Sequence, residues 1–380
     1  MAVALATVVF LVWLFLTFFR GDFWRAGQRL PQEIVRLPYW PEVVAIVPAR
    51  NEAQSIGHCV QGLLRQDYPG IFRVIVVDDQ SQDGTASLAE EAARRLGADE
   101  RLQVLSGSPL PQGWAGKVWA MAQGVEAAGS ATYLWFTDAD IEHGPRVLQT
   151  LLAKAENEQR VLVSLMVRLS TTTLWERWLI PAFLFFFQKL YPFPWVNDPQ
   201  HQTAAAAGGC MLVRREVLAH SGGLAKMRGA LIDDCTLATQ LKPLGAIWLG
   251  LADDSLSLRQ YQSLWEIWRM VARSAYVQLQ HRPSLLLGTT LGMLVLYFLP
   301  WALLVLGLLT GMNLPAIILA AGTLLISWWI YWPTLRYLQL SPLWVLSLQP
   351  AAWLYTLMTL DSARQYYAGR GGAWKGRTYS

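Results

Sequence analysis

The chain has 380 residues, of which 53% are hydrophobic and only 15% charged, with a net charge of +4. This composition excludes an ordinary soluble enzyme; the weak positive charge suits an anionic membrane surface or a phosphorylated substrate and does not indicate nucleic acid. The length allows two domains, the 19 tryptophans fit a protein that meets membrane interfaces, and the dispersed Cys59, Cys210 and Cys235 exclude a disulfide framework or a zinc site and suit a reducing compartment.

Residues 2–19, AVALATVVFLVWLFLTFF, are uncharged and apolar, and Arg20, Arg25, Arg29 and Arg36 follow. At about 1.5 Å per residue the stretch spans a hydrocarbon core. A signal peptide places its positive charge before the apolar run and a small-residue cleavage site after it. Here the charge comes after, which predicts an uncleaved anchor with its N-terminus outside and the next domain in the cytoplasm.

Residues 40–283 have a globular pattern. EVVAIVPAR, 42–50, is a short apolar run, and NEAQSIGHCVQGLLRQ, 51–66, has helical periodicity with Ile56, Val60, Leu63 and Leu64 on one face. FRVIVVDDQSQDGT, 72–85, is a β-branched run that ends in acidic and turn residues. Helix, strand, helix and strand follow in SLAEEAARRLG, RLQVLSG, GKVWAMAQGVEAAG and ATYLWFTDAD. The alternation predicts an α/β fold with a largely parallel sheet, and the continuously apolar strands predict cover on both faces. Ligands of such sheets bind beyond the carboxyl ends of the strands, where Asp78, Asp79, Asp138 and Asp140 fall.

LWERWLIPAFLFFFQKLYPFPW, 174–195, is too short in its apolar core to span and reads as an interfacial or re-entrant helix. Residues 284–360 hold two C-terminal spans hinged at Met312-Asn313, the first open to a kink at Pro300. A third candidate, 343–360, is broken by Gln349-Pro350. If all three cross, the basic tail 361–380, with Arg364, Arg370, Lys375 and Arg377, lies outside, against the positive-inside tendency.

Three acidic clusters carry the chemistry. Asp138 and Asp140 point to the same side of an extended chain, and two such carboxylates repel unless a cation or proton intervenes. Mg²⁺ or Mn²⁺ uses the arrangement well, filling its other positions with water and phosphate oxygens; the plain alternative is a solvated turn with Asp140 capping a helix. Asp78, Asp79 and Asp83 make either a strand-to-helix connection with Thr85 as N-cap or a carboxylate that reads a base or ribose. Asp233 and Asp234 either favour the first turn of a helix or supply a general base.

In their order and context these clusters resemble inverting glycosyltransferase family 2, which has the GT-A fold. The residues that carry the resemblance are VPARNE at 47–52, VVDDQSQDGT at 76–85, GKVWAMAQG at 116–124, TDAD at 137–140, GGCMLVRREV at 208–217 and IDDCTLA at 232–238. LPQGWAGKVWA, 110–120, and GRGGAWKGRTY, 369–379, look like the membrane-anchored, hopanoid (hopene)-associated branch. The resemblance implies transfer of a sugar from a nucleotide-sugar donor, UDP-linked by preference, to a membrane lipid, with Mg²⁺ or Mn²⁺. It implies a multi-pass enzyme of the inner (plasma) membrane with a cytoplasmic catalytic domain. Carried over, Pro48, Arg50 and Glu52 line the nucleotide pocket, Asp79 meets uracil or ribose and Asp78 is structural. Lys117 lies near the donor, Asp138 and Asp140 hold metal and diphosphate, and Gly208 and Gly209 admit the donor sugar. Asp234 is the base, beside Asp233. The chain departs from the family in reading Asp233-Asp234 where Glu-Asp is usual, and in lacking the Arg-Trp pair of processive synthases; LWEIWRMVARSAY, 264–276, offers Arg269 and Arg273 instead. Two rivals stay open: a non-catalytic membrane binding protein of the same fold, and a nucleotidyltransferase, whose glycine-rich N-terminal signature is absent.

Overall fold

The computed structural model describes residues 1–31, 37–311 and 313–370, together with the backbone of 373–374 and 377–378. Arg36, Met312 and Lys375 lie outside the described residues.

A long apolar helix, α1 (Ala2–Phe19), opens the chain. The α/β unit then runs β1 (Val43–Ala49), α2 (Ile56–Leu64), β2 (Phe72–Asp78), α3 (Thr85–Arg95), β3 (Leu102–Ser106), α4 (Gly116–Ala127) and β4 (Tyr133–Phe136). These four strands are mutually parallel, in the order β3-β2-β1-β4. The buried strands β1 and β4 are apolar on both faces apart from the bonded Tyr133 hydroxyl and Trp135 indole N–H, because α4 covers one side of the sheet and α2 and α5 (Val147–Asn157) the other. β5 (Ile141–His143), β6 (Leu162–Arg168), β7 (Met211–Arg214) and β8 (Ile247–Ser257) complete an eight-stranded sheet, ordered β3-β2-β1-β4-β7-β6-β8-β5. β7 runs antiparallel to β4 and β6, and β5 antiparallel to β8.

Local starts differ from the sequence reading in two places. The helix expected over 51–66 begins only at Ile56, because Asn51 sits at φ 51° in a loop. Thr85 is the first residue of α3 and not its N-cap; Gly84 at φ 85° takes that position, and the Thr85 hydroxyl is spent on Asp83.

The connection between β6 and β7 carries α6 (Leu174–Leu190) and α7 (Phe193–Asn197). A reciprocal capping box between Thr173 and Glu176 starts α6. After α8 (Arg215–His220), α9 (Asp233–Leu241) opens on the two aspartates. α10 (Leu264–Ala272) and α11 (Ala275–Gln278) lead into the C-terminal bundle of α12 (Pro283–Met293), α13 (Leu299–Thr310), α14 (Leu314–Tyr337) and α15 (Leu348–Tyr367).

Among the described residues four stretches are long and apolar enough to cross a membrane: Ala2–Phe19, Pro283–Thr310, Leu314–Tyr337 and Pro342–Tyr367. Pro300 has no N–H to give the Leu296 carbonyl, one turn back. The chain winds as a π-helix over Leu294–Phe298, and the indole of Trp13 donates to that carbonyl at 3.0 Å, which joins α1 to the bundle. Ala6 of α1 packs with Leu303 and Ala316 at the end of the bundle remote from the sheet. Pro342–Tyr367 differs from the other three, because the chain touches the sheet core before it and α10 and α11, the helices next to β8, near its end. Leu338, just before, is buried in the sheet's own core, while near its end Asp361 accepts from the Trp268 indole and Ser362 from the Tyr276 amide.

Candidate functional site

The carboxyl ends of β1 and β4 open into a cleft of about 710 Å³. Pro48 and Glu52 line it from the β1 side, Asp138 and Asp140 from β4, Lys117 from the first turn of α4, and Asp233 and Asp234 from the first turn of α9. Gly208 and Gly209, ahead of β7, form its floor. Five segments far apart in sequence thus deliver these predicted residues to one space.

Lys117 ties two of the acidic clusters together. Its ammonium lies 2.7 Å from an Asp138 oxygen and 3.1 Å from an Asp233 oxygen. Burial alone would lower the Lys117 pKa, but Asp138, Asp233 and Asp234 outweigh it and hold the group well above its ordinary value. Asp234 differs from its neighbour. One of its oxygens accepts from the Gly208 amide at 2.9 Å and the other from the Cys235 amide at 2.7 Å. Burial, then the charge of Asp233, raises its carboxyl to about 6, against the opposing pull of Lys117. A carboxyl poised there is ionised at neutral pH yet basic enough to accept a proton.

Asp140 also stands at about 6, raised by burial, then by Asp138 and Glu52, with Arg259 acting against them. It caps no helix, since β5 follows it directly. Asp138 and Asp140 fit a hard divalent cation on this ground: they converge and repel, and a cation between them relieves the repulsion. Among the described residues no three His, Cys, Asp or Glu side chains form a closed metal cage. Two carboxylates leave most positions of such a cation to water and phosphate oxygens. A Cβ on Gly208 would stand 3.1 Å from the Lys117 nitrogen and 3.5 Å from an Asp234 oxygen, so a side chain there would fill the space between cluster and base.

The nucleotide-side residues form a ledge beside the cleft. The Arg50 guanidinium is 3.7 Å from the buried Asp79 carboxylate and also donates to the Asp79 carbonyl. Asp78, half-buried at the end of β2, accepts from the Ser81 amide. The loops after β1 and β2 are laced together, with Asn51 N–H donating to the Ser81 hydroxyl, Gln82 N–H to the Asn51 side-chain oxygen Oδ1 and Ala53 N–H to Asp83. Arg50, Asp78 and Asp79 do not reach the cleft wall itself; Pro48 and Glu52 do.

Sequence reasoning missed several wall residues. Arg259 stands near Asp140 because Ser257 pairs with Ile141 across β5 and β8, and Leu258 N–H donates to the Asp140 carbonyl at 2.7 Å. Arg370 reaches the rim from the chain end, beside Arg269 and Arg273. Phe183 and Phe187 of α6 make an apolar wall. The interfacial reading of α6 changes as well: Phe185 is fully buried against Phe23 and Tyr331, so this face packs on the bundle, while Phe183 and Phe187 face the cleft.

Residues 44–222 match the family model described as Glycosyl transferase family 2. Among curated proteins, the chain is 33% identical over 123 residues to the uncharacterized glycosyltransferase EpsJ of Bacillus subtilis strain 168, covering 32% of this chain and 33% of that protein. It is 34% identical over 101 residues to glycosyltransferase AglE of Haloferax volcanii, covering 26% of this chain and 31% of that protein. The chain thus spans about a third of the length of the curated relatives it matches. A solved structure, the mannosyltransferase PcManGT from Pyrobaculum calidifontis in complex with GDP-Man and Mn²⁺, superposes with a TM-score of 0.57 at 19% identity, over 95% of this chain and 99% of that one. Residues 44–222 are thus similar to family 2 glycosyltransferases, and the α/β unit has the GT-A fold with apolar helices at both ends.

Proposed function

We propose that this protein transfers a sugar, with inversion, from a nucleotide-sugar, UDP-linked by preference, to a lipid alcohol of the membrane in which it sits. The observation that carries the reading is one cleft with two unlike ends. Asp138 and Asp140 stand at the sheet end, Asp234 stands across the Gly208 floor, and Phe183 and Phe187 make an apolar wall beside Met270.

The chemistry follows from that layout. The acceptor hydroxyl oxygen attacks the anomeric carbon, the bond from that carbon to the diphosphate breaks, and the hydroxyl proton passes to Asp234. No covalent sugar–enzyme bond is needed, so one base suffices where a retaining glycosidase needs a second carboxyl as nucleophile. Asp138 and Asp140 would hold Mg²⁺ or Mn²⁺, which supplies stabilisation of the departing diphosphate without proton transfer. Lys117 pins Asp138 and Asp233 in place and adds fixed positive charge beside the leaving group. Pro48, Arg50, Glu52 and Asp79 form the ledge that takes the nucleoside, with Asp78 shaping its loop. Gly208 and Gly209 leave room for the sugar.

By the likeness of residues 110–120 and 369–379, the acceptor belongs to the hopanoid series. The exposed Arg259, Arg269, Arg273 and Arg370 favour a second reading, an isoprenoid phosphate acceptor. The two are separable, because a phosphate oxygen is already ionised and needs no base. Purified protein is assayed with UDP-sugars, Mn²⁺ or Mg²⁺ and lipid extracts, with mass spectrometry of the products and of lipids from a deletion strain. A neutral sugar-bearing lipid lost in the deletion strain supports the first reading. Transfer to a polyprenyl phosphate that survives Asp234→Asn supports the second. Transfer to soluble sugars or peptides in preference to any lipid, or full activity in chelator, overturns both.

A further inference from the structure

We infer that His143 is a positioning residue that, through Thr137, holds the Gly208–Gly209 floor against the candidate base; this rests on the transferase reading above. His143 is the last residue of β5 and is 2% exposed. It touches neither the cleft nor any carboxylate; its ring lies against Trp135, 4.6 Å between centroids. Both ring nitrogens are engaged. Nε2 lies 2.8 Å from the Thr137 hydroxyl and Nδ1 2.8 Å from the hydroxyl of Ser255, its cross-strand partner on β8.

The direction of this chain follows from donor counting. Thr137 has one hydroxyl proton, and its nearest carbonyl is that of Gly209, at 2.9 Å. Having given its proton there, Thr137 accepts from the imidazole, so Nε2 carries the hydrogen. Nδ1 is then a bare acceptor and takes the Ser255 proton. The neutral ring suits this role, and burial holds its pKa far down, to about 3. Beyond Gly209 the same line continues, because the Gly208 amide donates to Asp234 at 2.9 Å. Hydrogen bonds joined through the Gly208–Gly209 backbone therefore run from β8 through β5 and the end of β4 to the glycine floor and the candidate base. Thr137 is also the residue before Asp138, so one hydroxyl sets the floor against both the acidic pair and Asp234.

The test uses isosteric and conservative exchanges in the full-length protein. Thr137→Val keeps shape and removes the hydroxyl; His143→Phe keeps a ring and removes both nitrogens; Thr137→Ser keeps the hydroxyl. The first two should lower kcat for sugar transfer about ten-fold or more, with donor KM unchanged. Thr137→Ser should retain most of kcat. Amide hydrogen exchange gives a readout that needs no turnover: the segment 205–212 should exchange about ten-fold faster in Thr137→Val and in His143→Phe, with unchanged exchange in His143→Phe refuting its positioning role, and as in wild type in Thr137→Ser. Unchanged exchange in Thr137→Val, or Thr137→Ser falling in step with Thr137→Val, would overturn the assignment. If wild type transfers no sugar, the transferase reading fails, and the exchange measurement alone decides the role of His143.

Discussion

Asp140 and Asp234 both work against the stability of the fold that holds them. Each carboxyl is raised from 3.8 to about 6, first by burial and then by a neighbouring carboxylate. A raised acid is easier to bury protonated than charged, so the folded state loses stability as pH climbs from near 3.8 through about 6. At neutral pH and without metal, Asp140→Asn should therefore raise the melting temperature, and the shift should vanish at pH 4. The same substitution, like Asp138→Asn, should abolish transfer and remove the stabilisation that Mn²⁺ gives to wild type. Melting curves with and without Mn²⁺ check the pairing, and a destabilised, active Asp140→Asn protein would contradict it. Asp234→Asn should leave donor binding intact and lower kcat by about 10²–10⁴-fold, the usual cost of losing a general base. Asp233→Asn should cost less, because Asp233 is held to Lys117. In wild type, transfer should fall as pH drops through about 6, where Asp234 takes a proton before the acceptor can give one. A pH–rate profile flat to pH 5 would remove Asp234 from the role. These positions are legible in the sequence because each pair sits on one short contiguous turn. Arg259 is not, since it meets Asp140 only through the pairing of β5 with β8, more than a hundred residues apart.

Helix α6 divides its labour by face. Glu176, fully buried, accepts from the Thr172, Thr173 and Tyr261 amides and from the Ser170 and Thr172 hydroxyls. Burial alone would raise this carboxyl, yet the donors outweigh it and hold its pKa below the ordinary value. Its contribution to stability is therefore present above the unfolded pKa and lost as pH falls through the lower folded one. Glu176→Gln should lower the melting temperature at pH 7 and lose that deficit in acid, because removing a charged acceptor from buried donors costs about 1–3 kcal/mol or more. The phenylalanines separate in the same way. Phe185→Ser should cost about 3–5 kcal/mol, the usual range for truncating a buried aromatic side chain. Phe187→Ser should leave the fold intact and slow transfer to lipid, while slow hydrolysis of the sugar nucleotide by water persists; equal loss of both activities would make Phe187 a packing residue. An apolar run in a sequence gives no hint of this division, because the partners Phe23 and Tyr331 come from opposite ends of the chain.

Across the whole molecule, the parallel half of the sheet was readable from alternating strand and helix patterns, since each βα step is local. The order β4-β7-β6-β8-β5 was not readable, because β7 reaches β4 only after an excursion that includes α6 and α7. The N-terminal anchor and the two long C-terminal stretches were legible as uncharged apolar runs. The last stretch read as a span broken at Pro350; the proline instead falls in the first turn of α15, where its missing N–H costs no helical bond.

That last stretch also decides the parity of the chain. A segment that leaves the sheet core at Leu338 and returns to α10 and α11, the helices next to β8, at Asp361 and Ser362 would add no net crossing. If α1, Pro283–Thr310 and α14 each cross a bilayer, Met1 lies on the face opposite the cleft and Arg370, at the cleft rim, on the face of the cleft. On that count Arg20, Arg25, Arg29, Arg364 and Arg370 would share one face, the distribution the positive-inside tendency favours, and the tension in counting a third C-terminal crossing would disappear. A cysteine appended after Ser380 should react with an impermeant thiol reagent from the same face as a cysteine placed at Glu91 of α3, and from the opposite face to one placed before Met1. Labelling of the appended cysteine from the face of Met1 would restore the extra crossing.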